Sequence, residues 1–284
     1  MIRDRGGRPS KTIMRVEKEM VLEKRARVVG MAMLVLAALA PRASATLPPL
    51  TLTYDLFSAG FPVLTLEFRV NETEGTYRVV GLVHSNGIAD FFSRYVLRTE
   101  SEGTVVAGGL HPNVYMSDSH SRIRHRFARL QFRADGNVLT TLAPSDDSSY
   151  TPATDQQIKG SVDPLSGILQ AGYIVAQQEH CAARIPIFDG RRRYDLVFTD
   201  EGIEHIPRSD DYAYAGDARR CAINMIKIAG LTTDSDSSYG ENADRAIVWL
   251  ATLHPDAPPL PVQLEFTGSW GPMKVSLVAV HAAR

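Results

Sequence analysis

Three consecutive arginines, Arg191, Arg192 and Arg193, follow an Asp-Gly pair in the stretch IPIFDGRRRYDLVF. Guanidinium groups are planar, permanently charged and forked, which suits them to phosphate and carboxylate. Ile185 and Ile187 lead into the Asp-Gly pair, and Tyr194, Leu196 and Phe198 alternate with other residues after it. An Asp-Gly pair between two such runs signals a β-hairpin, because both residues tolerate positive φ. Leaving that turn, the three side chains alternate between faces and cannot all meet on one anion. Arg191 and Arg193 share a face and form the expected ligand-binding pair. The competing reading is solvated turn charge, with one arginine paired to a carboxylate.

Other chemistry-bearing residues give weaker patterns. His120 and His125 in HSRIRH are five apart, which on one continuous strand puts them on opposite faces, so no metal site is expected. Asp234-Ser235-Asp236-Ser237-Ser238-Tyr239-Gly240 begins like a calcium loop, but its glycine is one place late and Arg245 stands where a bidentate glutamate is needed. Asp146-Asp147 reads as a loop charge cluster, and Ser269-Trp270 between glycines as a turn. There is no G-x-S-x-G elbow, H-E-x-x-H pair or glycine-rich phosphate loop. A non-catalytic protein without a cofactor is the expectation; a hydrolase assembled from dispersed residues is the third-ranked reading.

The elements that position these residues follow an address. Basic residues run up to Lys24, Arg25 and Arg27, and then comes VVGMAMLVLAALA, 13 uncharged residues from Val28 to Ala40. A spanning helix needs about 20. With Ala43 and Ala45 set for cleavage, residues 1–45 read as a secretory signal peptide. The alternative is a retained membrane anchor. The length of the leader places the translation start at Met1, Met14 or Met20. Residues 46–284 then carry 21 Lys+Arg against 28 Asp+Glu, a net charge of −7. Such acidity argues against nucleic acid as a partner, and no later segment is apolar enough for a transmembrane helix. Cys181 and Cys221, the only cysteines, lie in the exported part, where an oxidising compartment favours one disulfide between them.

Period-two alternation dominates that part. In LTLTYDLF, Leu50, Leu52, Tyr54 and Leu56 share a face, and VLTLEFRV and GTYRVVGLV continue a meander. RIRHRFARLQFRA changes phase midway, which predicts a bulge near Phe127 and Ala128. DPLSGILQAGYIVAQQEH is the exception: Asp163 can cap, Pro164 suits the first helical position, and Leu165, Ile168, Leu169 and Tyr173 recur at helical spacing. A shorter helical turn is expected around Ile88 to Phe92. About a dozen strands and one amphipathic helix predict a mainly β fold of residues 46–284 as one domain. Its form is a single curled antiparallel sheet or incomplete barrel, with the helix packed on or in it.

Several stretches together, YDLFSAGFPVLTLEF, SNGIADFFSRY, DPLSGIL, PIFDGRRRYDLVF and VWLATLHPDAPPLPVQLEFTGSWGPMKVSL, resemble the bacterial family called domain of unknown function 3108. The resemblance covers nearly all of residues 46–284, and no catalytic or binding residues are carried over from it. It implies an exported, periplasmic envelope protein of a Gram-negative bacterium, with a curled fold similar to lipoprotein carriers whose incomplete barrel holds acyl chains. The leading expectation is therefore a binding or carrier module for a lipid, glycolipid or other amphiphile. RVVGLV and AIVWLATL, apolar on both faces, either line its cavity or are covered by the helix and loops. The alternative is an envelope-maintenance or assembly protein acting through contacts with other envelope proteins.

Overall fold

The computed structural model describes residues 47–106, 109–144, 151–230, 246–268 and 271–282. The signal-peptide segment, Asp146-Asp147, the calcium-like loop and Ser269-Trp270 lie outside the described residues. Thirteen strands form one antiparallel sheet in the order β7-β6-β5-β4-β3-β2-β1-β13-β12-β11-β10-β9-β8. The first half is a meander: β1 Leu50–Ser58, β2 Phe61–Thr73, β3 Thr76–Ser85, β4 Val96–Val106, β5 Gly109–His120, β6 His125–Phe132 and β7 Val138–Ala143. The second half, β8 Ala183–Phe188, β9 Arg193–Ile206, β10 Gly216–Ala229, β11 Ala246–Ala251, β12 Leu260–Gly268 and β13 Gly271–Ala282, joins it where β13 pairs with β1.

Alternation fixes which face is buried. Leu50, Leu52, Tyr54 and Leu56 of β1 are buried, as are Tyr77, Val79 and Val83 of β3, and the residues between them face outward. Three helices interrupt the strands: α1 Gly87–Ser93, α2 Asp155–Ile158 and α3 Pro164–Gln178. Helix α3 begins as its sequence predicts. The Asp163 carboxylate accepts the backbone N–H groups of Leu165 and Ser166 at 3.0 Å, and Pro164 occupies the first turn, where no N–H is needed.

The helix packs against β4, β5, β8 and β12, strands far apart in the sheet order. One 15-residue helix, about 22 Å long, can touch both halves only if the sheet rolls around it. Leu165, Leu169 and Tyr173 enter a core with Leu50, Leu52 and Leu277, while Ala171 and Val175 enter a second with Ile185, Ile187 and Phe198. Two close approaches require bare glycines: a Cβ on Gly167 would lie 2.3 Å from Ile187, and one on Gly172 would lie 2.1 Å from the Pro259 carbonyl.

The roll does not close into a barrel, because β7 and β8 share no ladder. Its two edges are covered by other means. Val162 pairs with Ile187 of β8, exchanging hydrogen bonds with Pro186 and Phe188 at 2.9 Å. At the other edge the Arg191 guanidinium donates to the carbonyls of Ala143 and Pro144, both at 3.2 Å.

Two expectations need correction. β5 and β6 pair without a bulge. The change of phase arises because β6 starts at His125: Ser121 to Arg124 form a turn that leaves Ile123 outside the strand, while Ala128 and Leu130 point inward. The strands apolar on both faces do not contribute to the cleft described below. Val248 and Leu250 of β11 pack in one core and Trp249 and Ala251 in the other, whereas Val80 and Leu82 of β3 lie on the outer, partly exposed face.

Candidate binding cleft

The Asp-Gly turn between β8 and β9 is longer than a two-residue hairpin. Phe188 pairs with Arg193, leaving a four-residue loop from Asp189 to Arg192. The Asp189 carboxylate locks this loop by accepting the N–H groups of Arg191 at 2.9 Å and Arg192 at 2.7 Å, and Arg192 Nε at 2.8 Å. Strand alternation consequently does not extend to Arg191, and Arg191 and Arg193 do not share a face. Arg193 is buried in β9, with Nη1 on Asp195 at 2.5 Å and Nε on the Gln157 carbonyl at 2.9 Å. It ties α2 to the sheet. Burial alone would raise the Asp195 carboxyl, but Arg193 and Arg184 hold it below the usual carboxylate range.

Arg191, by contrast, reaches a cleft of about 430 Å³ where the two ends of the roll meet. One wall is the inner face of β4 to β6: Leu97, Ser119 and Arg126 share that face by register, as do Tyr115 and Ser117. The other wall is the β8–β9 turn, with Asp189, Arg191, Arg192 and Tyr194. Arg124, from the β5–β6 turn, makes a fourth guanidinium on the lining, where the only carboxylate among the described residues is Asp189. Arg191 spends Nη2 on the two carbonyls, and a guanidinium carries five N–H donors in all. Burial pushes the Tyr115 hydroxyl up to about 12 and raises those of Tyr194 and Tyr95. At neutral pH these tyrosines are uncharged, so they add no negative charge against an anion.

Sequence reasoning found Arg191 and missed most of this lining. A signal was present in β5: Ser117 and Ser119 continue the buried face of Tyr115, so the strand is polar on the side it turns toward the interior. Arg124 and Arg126 were hidden by reading Arg122 to Ala134 as one strand with a bulge.

Among the described residues, two groupings hold metal-ligand types. His120 and His125 are direct partners across the β5–β6 hairpin and share a face with Asp118, opposite to the earlier placement on two faces of one strand. The turn at Ser121 to Arg124 reverses the chain between them. Their Nε2 atoms lie 3.0 and 2.8 Å from one oxygen of Asp118, and the rings stack at 4.0 Å with 12° between planes. Burial raises the Asp118 carboxyl, but these histidine hydrogen bonds outweigh it and bring it below its ordinary value. Both Nε2 atoms thus converge on the carboxylate oxygen, and the exposed cluster is held together by Asp118. The second grouping, Cys181, Asp200 and Cys221, offers no thiolates because the sulfurs are joined at 2.07 Å.

A rolled, open antiparallel sheet wrapped on one helix, with a cationic cleft at its junction, defines the class of this molecule. The family model described as protein of unknown function (DUF3108) matches residues 51–278, and the chain belongs to that family. No curated protein and no solved structure matches the chain.

Proposed function

We propose that the protein is an exported, non-catalytic binding module of the cell envelope, and that its ligand is an anionic amphiphile whose headgroup enters the cleft. The observation that carries this is the described lining itself: Arg124 and Arg191 converge there with two further arginines, the one described carboxylate is already engaged by Arg192 and turn amides, and neutral tyrosines and serines lie beside them. Guanidinium recognises phosphate and carboxylate through paired, charge-assisted hydrogen bonds. The volume sits low in the roughly 300–1,000 Å³ range of ligand pockets, the scale of a headgroup or short glycan. Because α3 fills the roll, acyl chains would remain outside it. Export is supported by the basic and then apolar N-terminal sequence and by the Cys181–Cys221 bond, since disulfides persist in oxidising compartments.

Titration calorimetry with dihexanoyl phosphatidic acid, a soluble anionic probe, tests the reading. Each charge-assisted hydrogen bond contributes about 1.5–3 kcal/mol, so Arg124→Ala should weaken binding about tenfold or more, and Arg124→Ala with Arg191→Ala more still. Dihexanoyl phosphatidylcholine, which carries no net charge, should bind more weakly. Unchanged affinity in both variants would reject the cleft. A protein partner that co-purifies stoichiometrically, with no probe binding, would favour the assembly reading.

A further inference from the structure

We infer that the end of the sheet carrying the cleft is a docking surface for an anionic lipid bilayer. The purpose of this docking, transfer of a ligand to or from the cleft, rests on the binding reading above; the docking itself rests on separate residues. In an antiparallel meander every second connection falls at the same end. Here these are the β1–β2 turn, the α1 connection from β3 to β4, and the β5–β6 turn. Each presents large apolar side chains to water: Phe61 is 70% exposed, Phe91 70%, Phe92 69% and Ile123 94%. Single exposed apolar residues are ordinary, but a set gathered on adjoining tips marks an interaction surface.

The tips are joined to one another. Arg122 donates its backbone N–H to the Ser93 carbonyl at 3.0 Å and its Nη2 to the Phe91 carbonyl at 2.6 Å. Its guanidinium lies 6.0 Å from the centre of the Phe91 ring, and the rings of Phe91 and Phe92 meet edge to face at 5.2 Å. Asn86, just before α1, bonds the Val63 carbonyl of β2 at 2.9 Å, which brings the β1–β2 end alongside.

Charge names the occupant. Exposed Arg94 and Arg122 stand among these apolar groups, while Asp90 of the same connection is engaged by the Ser85 hydroxyl at 2.7 Å. Residues 46–284 are acidic overall, with a net charge of −7, so the arginines among the described residues of these tips run against the average and would orient them toward a negative surface. Apolar rings that enter the acyl boundary, with arginines left at headgroup level, match the interface of a bilayer bearing anionic lipid. A protein partner would not require this division by depth. The cleft opens at the same end, since Ala143, which Arg191 grips, pairs with Phe127 near the start of β6.

The test uses the full chain and vesicles of phosphatidylcholine with 30% phosphatidylglycerol, some carrying brominated acyl chains. Phe92→Trp should be quenched at least threefold more than Leu139→Trp, which places a tryptophan on an exposed site at the opposite end of the sheet, after subtraction of the native tryptophans. Half-molar salt or neutral vesicles should reduce quenching at least threefold. Phe91→Ser, Phe92→Ser and Ile123→Ser combined should lower vesicle co-flotation about tenfold while leaving dihexanoyl phosphatidic acid affinity unchanged. Equal quenching at the two sites, or equal binding to neutral vesicles, overturns the docking surface. Loss of probe affinity in the arginine variants with site-specific quenching intact supports the cleft and the docking surface together, whereas unchanged probe affinity with quenching intact rejects the cleft and leaves the docking surface standing alone.

Discussion

Asp163 shows how much can depend on one buried carboxyl. It caps α3, and its second oxygen receives the hydroxyls of Ser101, at 2.8 Å, and Ser166; the Tyr77 hydroxyl then reaches Ser166 at 2.6 Å. Its pKa is nevertheless raised, because burial penalises the charge more than these donors relieve it. A carboxyl raised in the folded state stabilises fully below its unfolded value, near 3.9, and that contribution is lost as pH rises through the folded value. Asp163→Asn keeps an oxygen for the two backbone N–H groups and offers an amide to the two hydroxyls, and it does not titrate. In urea unfolding, its stability relative to the native protein should therefore increase from pH 4 to pH 8; a flat difference would contradict the raised pKa. Asp163→Ala removes the cap and strands buried hydroxyls, at a cost of about 2–4 kcal/mol.

At the scale of elements, the disulfide staples the segment after α3 to β10, with Cα atoms 6.3 Å apart, and so holds the edge hairpin of β8 and β9 against its neighbour. It closes a loop of 40 residues, for which the chain-entropy model gives roughly 4 kcal/mol. Cys181→Ala with Cys221→Ala should lower the unfolding free energy by about 3–4 kcal/mol in urea titrations, and reductant should destabilise the native protein but not the variant. The bond, the sheet and the α3 entrance were legible because each rests on local pattern: two cysteines, period-two alternation, and Asp163-Pro164. The short helix was legible too, as Gly87–Ser93 around the expected Ile88 to Phe92. What could not be read was where strands stop. His120 and His125 changed from opposite faces to direct partners once four residues proved to be a turn, and Arg191 left the company of Arg193 once Asp189 drew its loop out to four residues. Both outcomes depend on turn geometry, which alternation alone does not encode. The cleft was less legible still, since it joins residues nearly 100 positions apart across the roll.

For the whole molecule the decisive feature is that the roll is held shut without a ladder. Where β8–β9 meets β6–β7 the contact is a turn against a sheet: a Cβ added to Gly190 would lie 3.1 Å from the Ala128 methyl and 3.2 to 3.4 Å from Leu142 and Leu130. Gly190 also has φ near +97°, a conformation that disfavours any side chain. Ala128 lines the cleft, so the same contact closes the roll and shapes the candidate site. Gly190→Ala should therefore act on both. We expect a loss of about 1–3 kcal/mol from backbone strain and crowding, together with weaker binding of the anionic probe. Hydrogen exchange should locate the effect: amides of β6 and β7 should exchange at least tenfold faster, while those of β1 to β3, far from this junction in the sheet order, keep their protection. Uniform acceleration across all thirteen strands would show instead that the roll opens only by unfolding as a whole. In that case the cleft would be as permanent as the core, and ligand entry would have to proceed through its mouth rather than by parting of the edges.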